Sequence, residues 1–140
     1  MTYTAMNLVS SGFPISDVHF TYGLNASIDV VNDLGKALAL DPTAANTMKL
    51  AGTGDRIIGL LVTAEDRGSL GKVGTVARQF KEQMPAPVGH TIVVGDSVTG
   101  INATPGLVQT RTDGATPPNK VYDHTVVIEV GTNFVVVEKL

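Results

Sequence analysis

The chain of 140 residues contains no cysteine. Disulfide bonds, thiolate metal sites and thiol nucleophiles are therefore excluded. No apolar run approaches the roughly 20 residues that a membrane-spanning helix needs. The first 17 residues also lack the basic region and the continuous apolar stretch of a signal peptide. We therefore expect a protein that is made in the cytoplasm and does not bind a membrane.

Charge is also scarce in this sequence. Only 16% of the residues are charged, below the usual quarter, and ten Lys and Arg residues are scattered along a chain of net charge −3. Nucleic-acid binding needs clustered basic residues, so this pattern predicts no nucleic-acid partner. A low charged fraction indicates instead that other protein subunits cover part of the surface.

Residues that favour strands and turns dominate what is present. Nineteen valines and sixteen threonines, set against seven prolines and fifteen glycines, are typical of short strands separated by turns. This composition predicts an all-β fold, either a small β-barrel or a sandwich of short antiparallel strands. The predicted strands are Lys36–Leu40, Arg56–Thr63, Thr91–Val94, Ser97–Thr99, Leu107–Arg111 and a C-terminal hairpin of Tyr122–Val130 and Phe134–Val137.

Three segments need separate interpretation. Arg56–Thr63 is nearly all apolar, which predicts a central strand covered on both faces. Residues 42–50 follow a helix-start signal at Asp41, so one or two helical turns compete with a strand there. Residues 73–84 fit both a helical and a strand period, and their β-branched residues and glycines favour a strand.

The first 34 residues differ from the β domain that we expect over residues 35–140. They hold four of the seven aromatic residues and show no sustained apolar period. Two interpretations stay open: an extended N-terminal arm that docks on a partner, or a peripheral strand of the domain's own sheet. The aromatic residues of this segment are candidate partner contacts: Tyr3, Phe13, Phe20 and Tyr22.

Few residues have catalytic potential. Glu65, Asp66 and Arg67 follow the strongest strand, and together with His90 they could form a hydrolytic or carbohydrate-binding site. Glycosidase carboxyls, however, face each other across about 5 to 10 Å, whereas adjacent loop residues point in different directions. A structural ion pair of Arg67 explains the group better. We therefore predict no enzyme activity, no cofactor and no metal site, and we keep these three residues as candidate partner contacts.

Apolar and glycine-containing motifs run through the middle of the chain and into its C-terminal hairpin. They are Gly35–Asp41, Ala45–Ala51, Gly54–Gly59, Glu65–Arg67, Gly71–Ala77, Val94–Gly100 and Val127–Val130. These motifs resemble the capsid decoration, or head cement, proteins of tailed bacteriophages. The resemblance covers roughly residues 35 to 100 and the hairpin, and it does not include residues 1–34 or 101–120.

The resemblance implies an all-β protein on the outer surface of an expanded phage head. There it would bridge and stabilise subunits of the major capsid protein, as a homo-oligomer that is more often a trimer than a dimer, and without catalytic residues. Two alternatives stay open. One is another phage structural module of the tail tube or fibre attachment, and the other is a small carbohydrate-binding or hydrolytic domain.

Overall fold

A computed structural model describes residues 18–112 and 119–139, and nearly every regular element within them is a β-strand. This confirms the predicted all-β class. The strands are β1 (Val18–Leu24), β2 (Ala37–Leu40), β3 (Thr47–Leu50), β4 (Gly59–Asp66), β5 (Lys72–Pro85), β6 (Val98–Gly100), β7 (Val108–Thr110), β8 (Thr125–Val130) and β9 (Phe134–Lys139). One short 3-10 turn, Gly68–Leu70, joins β4 to β5.

Five strands close into a small barrel because β1 is paired along both of its edges. β1 is antiparallel to residues 72–79 of β5, and it is parallel to β3 over two residue pairs. Antiparallel pairs of β3 with β2, β2 with β4 and β4 with β5 complete the ring. The expectation of antiparallel strands is therefore met everywhere in the ring except at β1–β3. That pair is parallel because the β2–β3 hairpin returns the chain in the direction of β1.

β5 belongs to two parts of the molecule. It is 14 residues long, in contrast to the short strands expected from the sequence. Its first half forms barrel wall, whereas residues 80–85 pair with β9, which in turn pairs with β8 in the predicted C-terminal hairpin. The strands β6 and β7 form a separate two-stranded sheet. The single long strand thus attaches the hairpin to the barrel.

Part of the barrel wall is buried on both faces, whereas most of the outer face of β1 is exposed. An inner apolar cluster takes one side chain from each barrel strand and one from the loop after β1: Leu24, Ile28, Leu38, Met48, Leu61 and Val76. A larger outer cluster packs the wall against the hairpin and the two-stranded sheet. Adjacent residues alternate between the two clusters, as Leu60 (outer) and Leu61 (inner) show. The strand predicted over Arg56–Thr63 begins only at Gly59, and its burial on both faces is confirmed over residues 59–61, whereas Thr63 is exposed.

The predicted strand at residues 91–94 is wrong. The Val93 amide donates to the Asp96 carboxylate at 3.0 Å, and the Asp96 amide donates to the Val93 carbonyl at 3.1 Å. These bonds close a turn, and of the four residues only Ile92 is buried. β-branched residues favour a strand where neighbouring strands cover them, and no strand pairs with this segment in the described part of the chain.

Residues 42–50 form a turn followed by β3, and not a helix. The Asp41 carboxylate accepts hydrogen bonds from the Thr43 hydroxyl, the Asn25 side-chain amide and the Thr43 backbone amide, which together lower its pKa to about 2. Asn46, with a φ of 51°, then reverses the chain into β3. Residues 73–84 lie in β5, which confirms the strand preferred there.

The N-terminal segment is divided by the structure. Residues 18–24 are β1. For these residues the interpretation as a strand of the domain's own sheet is therefore correct, and the interpretation as an arm is wrong. This strand closes the barrel and is more than a peripheral addition to it. Residues 1–17, which include Tyr3 and Phe13, lie outside the described residues.

Barrel closure leaves no room for a side chain at Gly74 of β5. A Cβ atom there would lie 2.7 Å from the Thr63 carbonyl oxygen and 2.9 Å from Leu24 Cδ1. We expect Gly74→Ala to lower the free energy of unfolding by about 1 to 3 kcal/mol, because the backbone of β4 must move. Urea unfolding followed by circular dichroism measures this loss.

Gly23→Ala is the matched control in the same ring. Its Cβ would meet first the flexible Thr47 side chain, at 3.3 Å, so a smaller loss is expected. A Gly74→Ala variant as stable as the unmodified protein would contradict the close approach of β4 and β5.

Candidate interaction surface

The group of Glu65, Asp66 and Arg67 lies where β4 ends. Arg67 Nε is 3.2 Å from Glu65 Oε2, and the Asp66 carboxylate accepts the Gly68 amide at 2.9 Å. Both members of the ion pair are exposed, so the pair shapes the turn more than it stabilises the fold. The structural ion pair expected from the sequence is therefore present within one chain, and contact of these residues with a partner stays a prediction.

His90 is held by a different part of the molecule. The Ile92 amide donates to His90 Nδ1 at 3.2 Å, so Nε2 carries the proton and donates to the Gly131 carbonyl at 2.7 Å. This tautomer is assigned from the hydrogen-bond network. These bonds tie the loop after β5 to the β8–β9 turn. Among the described residues, no hydrogen bond or ion pair joins His90 to Glu65 or Asp66, as a hydrolytic site of these three residues would require.

Two other kinds of site can be checked in the described ranges, 18–112 and 119–139. No three His, Asp or Glu side chains there are grouped as ligands for a metal ion. No helix in those ranges has the length and apolar character needed to cross a membrane.

The two described aromatic residues of the N-terminal segment lie on β1. Phe20 is exposed, with the Arg78 guanidinium carbon 5.9 Å from the centre of its ring. Tyr22 packs against the inner cluster, and its hydroxyl accepts a hydrogen bond from Arg78 at 3.1 Å. Phe20 can therefore contact a partner, whereas Tyr22 mainly supports the barrel.

Exposed apolar side chains gather beside β8, the edge strand of the large sheet. Val94 and Tyr122 are 64% and 69% exposed, and Val93 and Val126 are also exposed. The Gly95 amide donates to the carbonyl of Val127, next to Val126, at 2.8 Å, which holds the 93–94 turn against the strand. We call Val93, Val94, Tyr122 and Val126 the edge surface. Single exposed valines are common, but several on adjoining segments are typical of an interaction site.

A buried carboxylate holds one side of the edge surface. Asp96, only 2% exposed, accepts hydrogen bonds from Lys120 Nζ at 2.6 Å, the Thr110 hydroxyl at 2.9 Å and the Val93 amide at 3.0 Å. Burial raises the pKa of Asp96, but these hydrogen bonds outweigh burial and hold the pKa below its ordinary value. The carboxylate thus connects the 93–94 turn to β7 and to the segment before Tyr122.

A second polar network holds the other side of the edge surface. Ser97 Oγ donates to the Thr125 carbonyl at 2.7 Å and accepts the Asp123 amide at 2.9 Å. The Asp123 carboxylate accepts the Thr125 hydroxyl at 2.8 Å and lies 3.2 Å from Arg111 NH1. These bonds hold the segment after Tyr122 against Ser97, the residue before β6, without a regular strand pairing. The sequence signal for this surface is the adjacent pair Val93-Val94 before a Gly-Asp turn, a pattern that by itself predicts a strand.

Comparison with known proteins does not extend this description. No protein-family model matches the chain, and no curated protein matches it.

Replacement of the buried Asp96 tests whether the first network holds the edge surface. Asp96→Asn keeps the shape but removes the charge, so we expect a loss of about 1 to 3 kcal/mol in unfolding free energy at pH 7. Asp66→Asn, at an exposed carboxylate, is the control and should lose less.

The same variant has a pH signature. A lowered folded pKa means that Asp96 stabilises the fold fully above its unfolded pKa, about 3.9, and that this contribution disappears as the pH falls through the folded value. Urea unfolding at pH 7 and pH 3 should therefore show a smaller pH effect in Asp96→Asn than in the unmodified protein. An equal pH effect in both proteins would contradict the assignment.

Proposed function

We propose that this protein is a capsid decoration protein that binds the outer surface of a tailed-phage head and stabilises it by bridging major capsid protein subunits. The proposal rests on the resemblance described above. The observation that carries it in the structure is the edge surface, a set of exposed apolar side chains held in place by buried hydrogen-bonded groups.

Most motifs of the resemblance fall on strands of the barrel. Those between residues 35 and 77 cover β2 and β3, include both ends of β4, and contain residues 72–77 of β5. Val94–Gly100 contains the turn that carries Val94 and the buried Asp96 and Ser97. Residues 101–120, which the resemblance omits, include the loop after β6 and the segment that ends at Lys120. The resemblance therefore includes Asp96 and Ser97, which support the edge surface, but not Thr110 and Lys120, the partners of Asp96.

The physical character of the edge surface suits a protein partner. Valine and tyrosine side chains contribute to binding by leaving water, and tyrosine is enriched at interfaces because it combines apolar area with a polar tip. The polar groups beneath the surface are already hydrogen-bonded to one another, so docking would not leave them unsatisfied. A partner can thus cover the apolar side chains at little desolvation cost.

Repetition would strengthen such binding. In the proposed function the protein is a homo-oligomer, with a trimer favoured, and each protomer offers one edge surface to the shell. Several modest contacts held in one assembly give an avidity well above that of each contact alone. A reinforcing protein of this kind needs no catalytic group.

Binding to undecorated, expanded heads tests the function directly. We expect the purified protein to bind such heads at saturating stoichiometry and to raise the temperature at which they open, measured by sedimentation and by thermal release of DNA. Absence of binding, or density on the tail in negative-stain images, would contradict the proposal.

A charge placed in the edge surface tests where the heads are bound. Val94→Asp should weaken head binding by at least about tenfold, because an unpaired carboxylate would be buried at the contact. Val31→Asp, at a 71% exposed position in the loop between β1 and β2, is the control and should bind normally. Equal binding by both variants would exclude the edge surface as the contact.

The arm interpretation of the N-terminus needs a deletion that spares β1. Removing residues 1–17 leaves every described barrel strand in the chain, whereas a deletion that extends through residue 25 would open the ring. We expect the 1–17 deletion to weaken head binding while the circular dichroism spectrum and thermal unfolding stay those of the full chain. Full retention of binding would show that these residues do not attach the protein to the head.

A further inference from the structure

A cavity of about 380 Å³ lies where β1, β5 and β9 meet, and no residue of the edge surface lines it. Its lining includes three cationic side chains, Arg56, Arg78 and Lys139, together with His124 and the ring of Phe20. We call it the cationic cavity. Basic residues are scattered in the sequence, so their convergence here is a product of the fold.

Lys139 occupies a position where an apolar residue is expected. Alternate residues of β9 face the core, and Val135, Val137 and Lys139 share that face. Lys139 is only 8% exposed, and its Nζ donates to the Arg78 carbonyl at 3.0 Å. Burial lowers its pKa, and the positive charges of Arg78 and Arg56 lower it further. Asp123 is the acidic group that opposes this shift.

Arg78 points toward the cavity because the strand is irregular at this residue. β1 pairs with residues 77 and 79 at consecutive positions and skips Arg78, which makes it the extra residue of a β-bulge. A β-bulge redirects the side chain of its extra residue and leaves a backbone group of that residue without a partner in the neighbouring strand. Here the backbone carbonyl of Arg78 accepts a hydrogen bond from Lys139 instead. Among the described residues, the guanidinium contacts the Phe20 ring and donates a hydrogen bond to the Tyr22 hydroxyl, two contacts that engage few of its five N–H donors.

The described residues that line the cavity carry positive side-chain charges and no negative one. The ion pairs between described residues use five other basic side chains: Lys36, Lys49, Arg67, Arg111 and Lys120. Arg56, Arg78 and Lys139 form no ion pair with a described residue. Asp123 is already paired with Arg111 at 3.2 Å. A buried ammonium among like charges is costly unless an anion neutralises it.

We propose that the cationic cavity binds one oxyanion, a carboxylate or a phosphate, through the Arg78 and Arg56 guanidiniums and the Lys139 ammonium. Planar guanidiniums match the paired oxygens of such groups, and the ammonium adds a third donor from the cavity floor. A purely structural role accounts for Lys139, because its ammonium donates to the Arg78 carbonyl. It does not account for the two guanidiniums of Arg56 and Arg78 that line the same cavity. The site goes beyond the proposed function and does not depend on it, since isolated protein is enough to test it.

Two probes distinguish the sources of the oxyanion. Inorganic phosphate represents a free ion, and N-acetylglutamate amide represents a carboxylate side chain of a protein partner, with N-acetylglutamine amide as its neutral counterpart. Each is titrated into the full chain by calorimetry, with NMR of the arginine Nε and lysine side chains. The expected result is saturable binding of at least one oxyanion, no binding of the neutral amide, and a rise in the Lys139 pKa on binding.

Three charge-removing variants locate the site. Arg78→Gln and Arg56→Gln should each weaken binding by about tenfold or more, because each removes a charge-assisted hydrogen bond. Arg56 is exposed, so its variant should fold even where changes at the bulge do not. Lys81→Gln is the control, since Lys81 is an exposed cation on the same strand that does not line the cavity.

Each outcome decides the proposal. Saturation by phosphate alone supports a site for a free ion, and saturation by the glutamate probe supports a site for a partner's acidic residue. No saturation by either probe would overturn the proposal. Equal weakening by Lys81→Gln and Arg56→Gln would also overturn it, because the effect would then come from net charge and not from the cavity.

Discussion

The pairing of β1 with both β3 and β5 is the constraint on which the other features depend. It closes the ring and leaves the first half of β5 no further free edge. The second half of β5 extends beyond the ring and supports the hairpin. Closure also turns the outer face of the wall into a second packing surface. Small side chains there, such as Ala37, Ala39 and Ala77, let the neighbouring segments approach closely.

Outside the barrel, side chains take over the role of regular strand pairing. Between the end of β5 and the start of β8 only two three-residue strands are formed in the described part of the chain, and the backbone is positioned by Asp96, Ser97 and Asp123. Such a region can vary its exposed residues without disturbing the barrel, because its shape comes from buried polar groups. Three residues of the edge surface, Val93, Val94 and Tyr122, are located there, and the fourth, Val126, lies in the adjoining β8.

The sequence patterns were most informative for segments whose residue types favour only one kind of secondary structure. The β-branched residues and glycines of residues 73–84, the apolar run that contains the start of β4 and the alternating pattern of the C-terminal hairpin all correspond to strands in the structure. Thr91–Val94 failed because the same β-branched residues can coat a turn when no strand lies beside them. Residues 42–50 stayed undecided because the hydrogen bonds of the Asp41 side chain begin a helix and a tight turn equally well.

The sequence alone determined the all-β class, the two-sided burial at the start of β4, the hairpin and the absence of thiol chemistry, because each is a local property of composition or period. Only the tertiary structure decided that the first described strand closes a barrel. It alone brought the 93–94 turn against β8, through the bond of Gly95 to Val127, and placed Arg56, Arg78 and Lys139 around one cavity. These arrangements join residues far apart in the chain, and they depend on which strands pair and where a bulge falls. No local sequence pattern predicts the strand pairing or the position of the bulge. The period of a strand indicates which faces are buried but not which elements cover them.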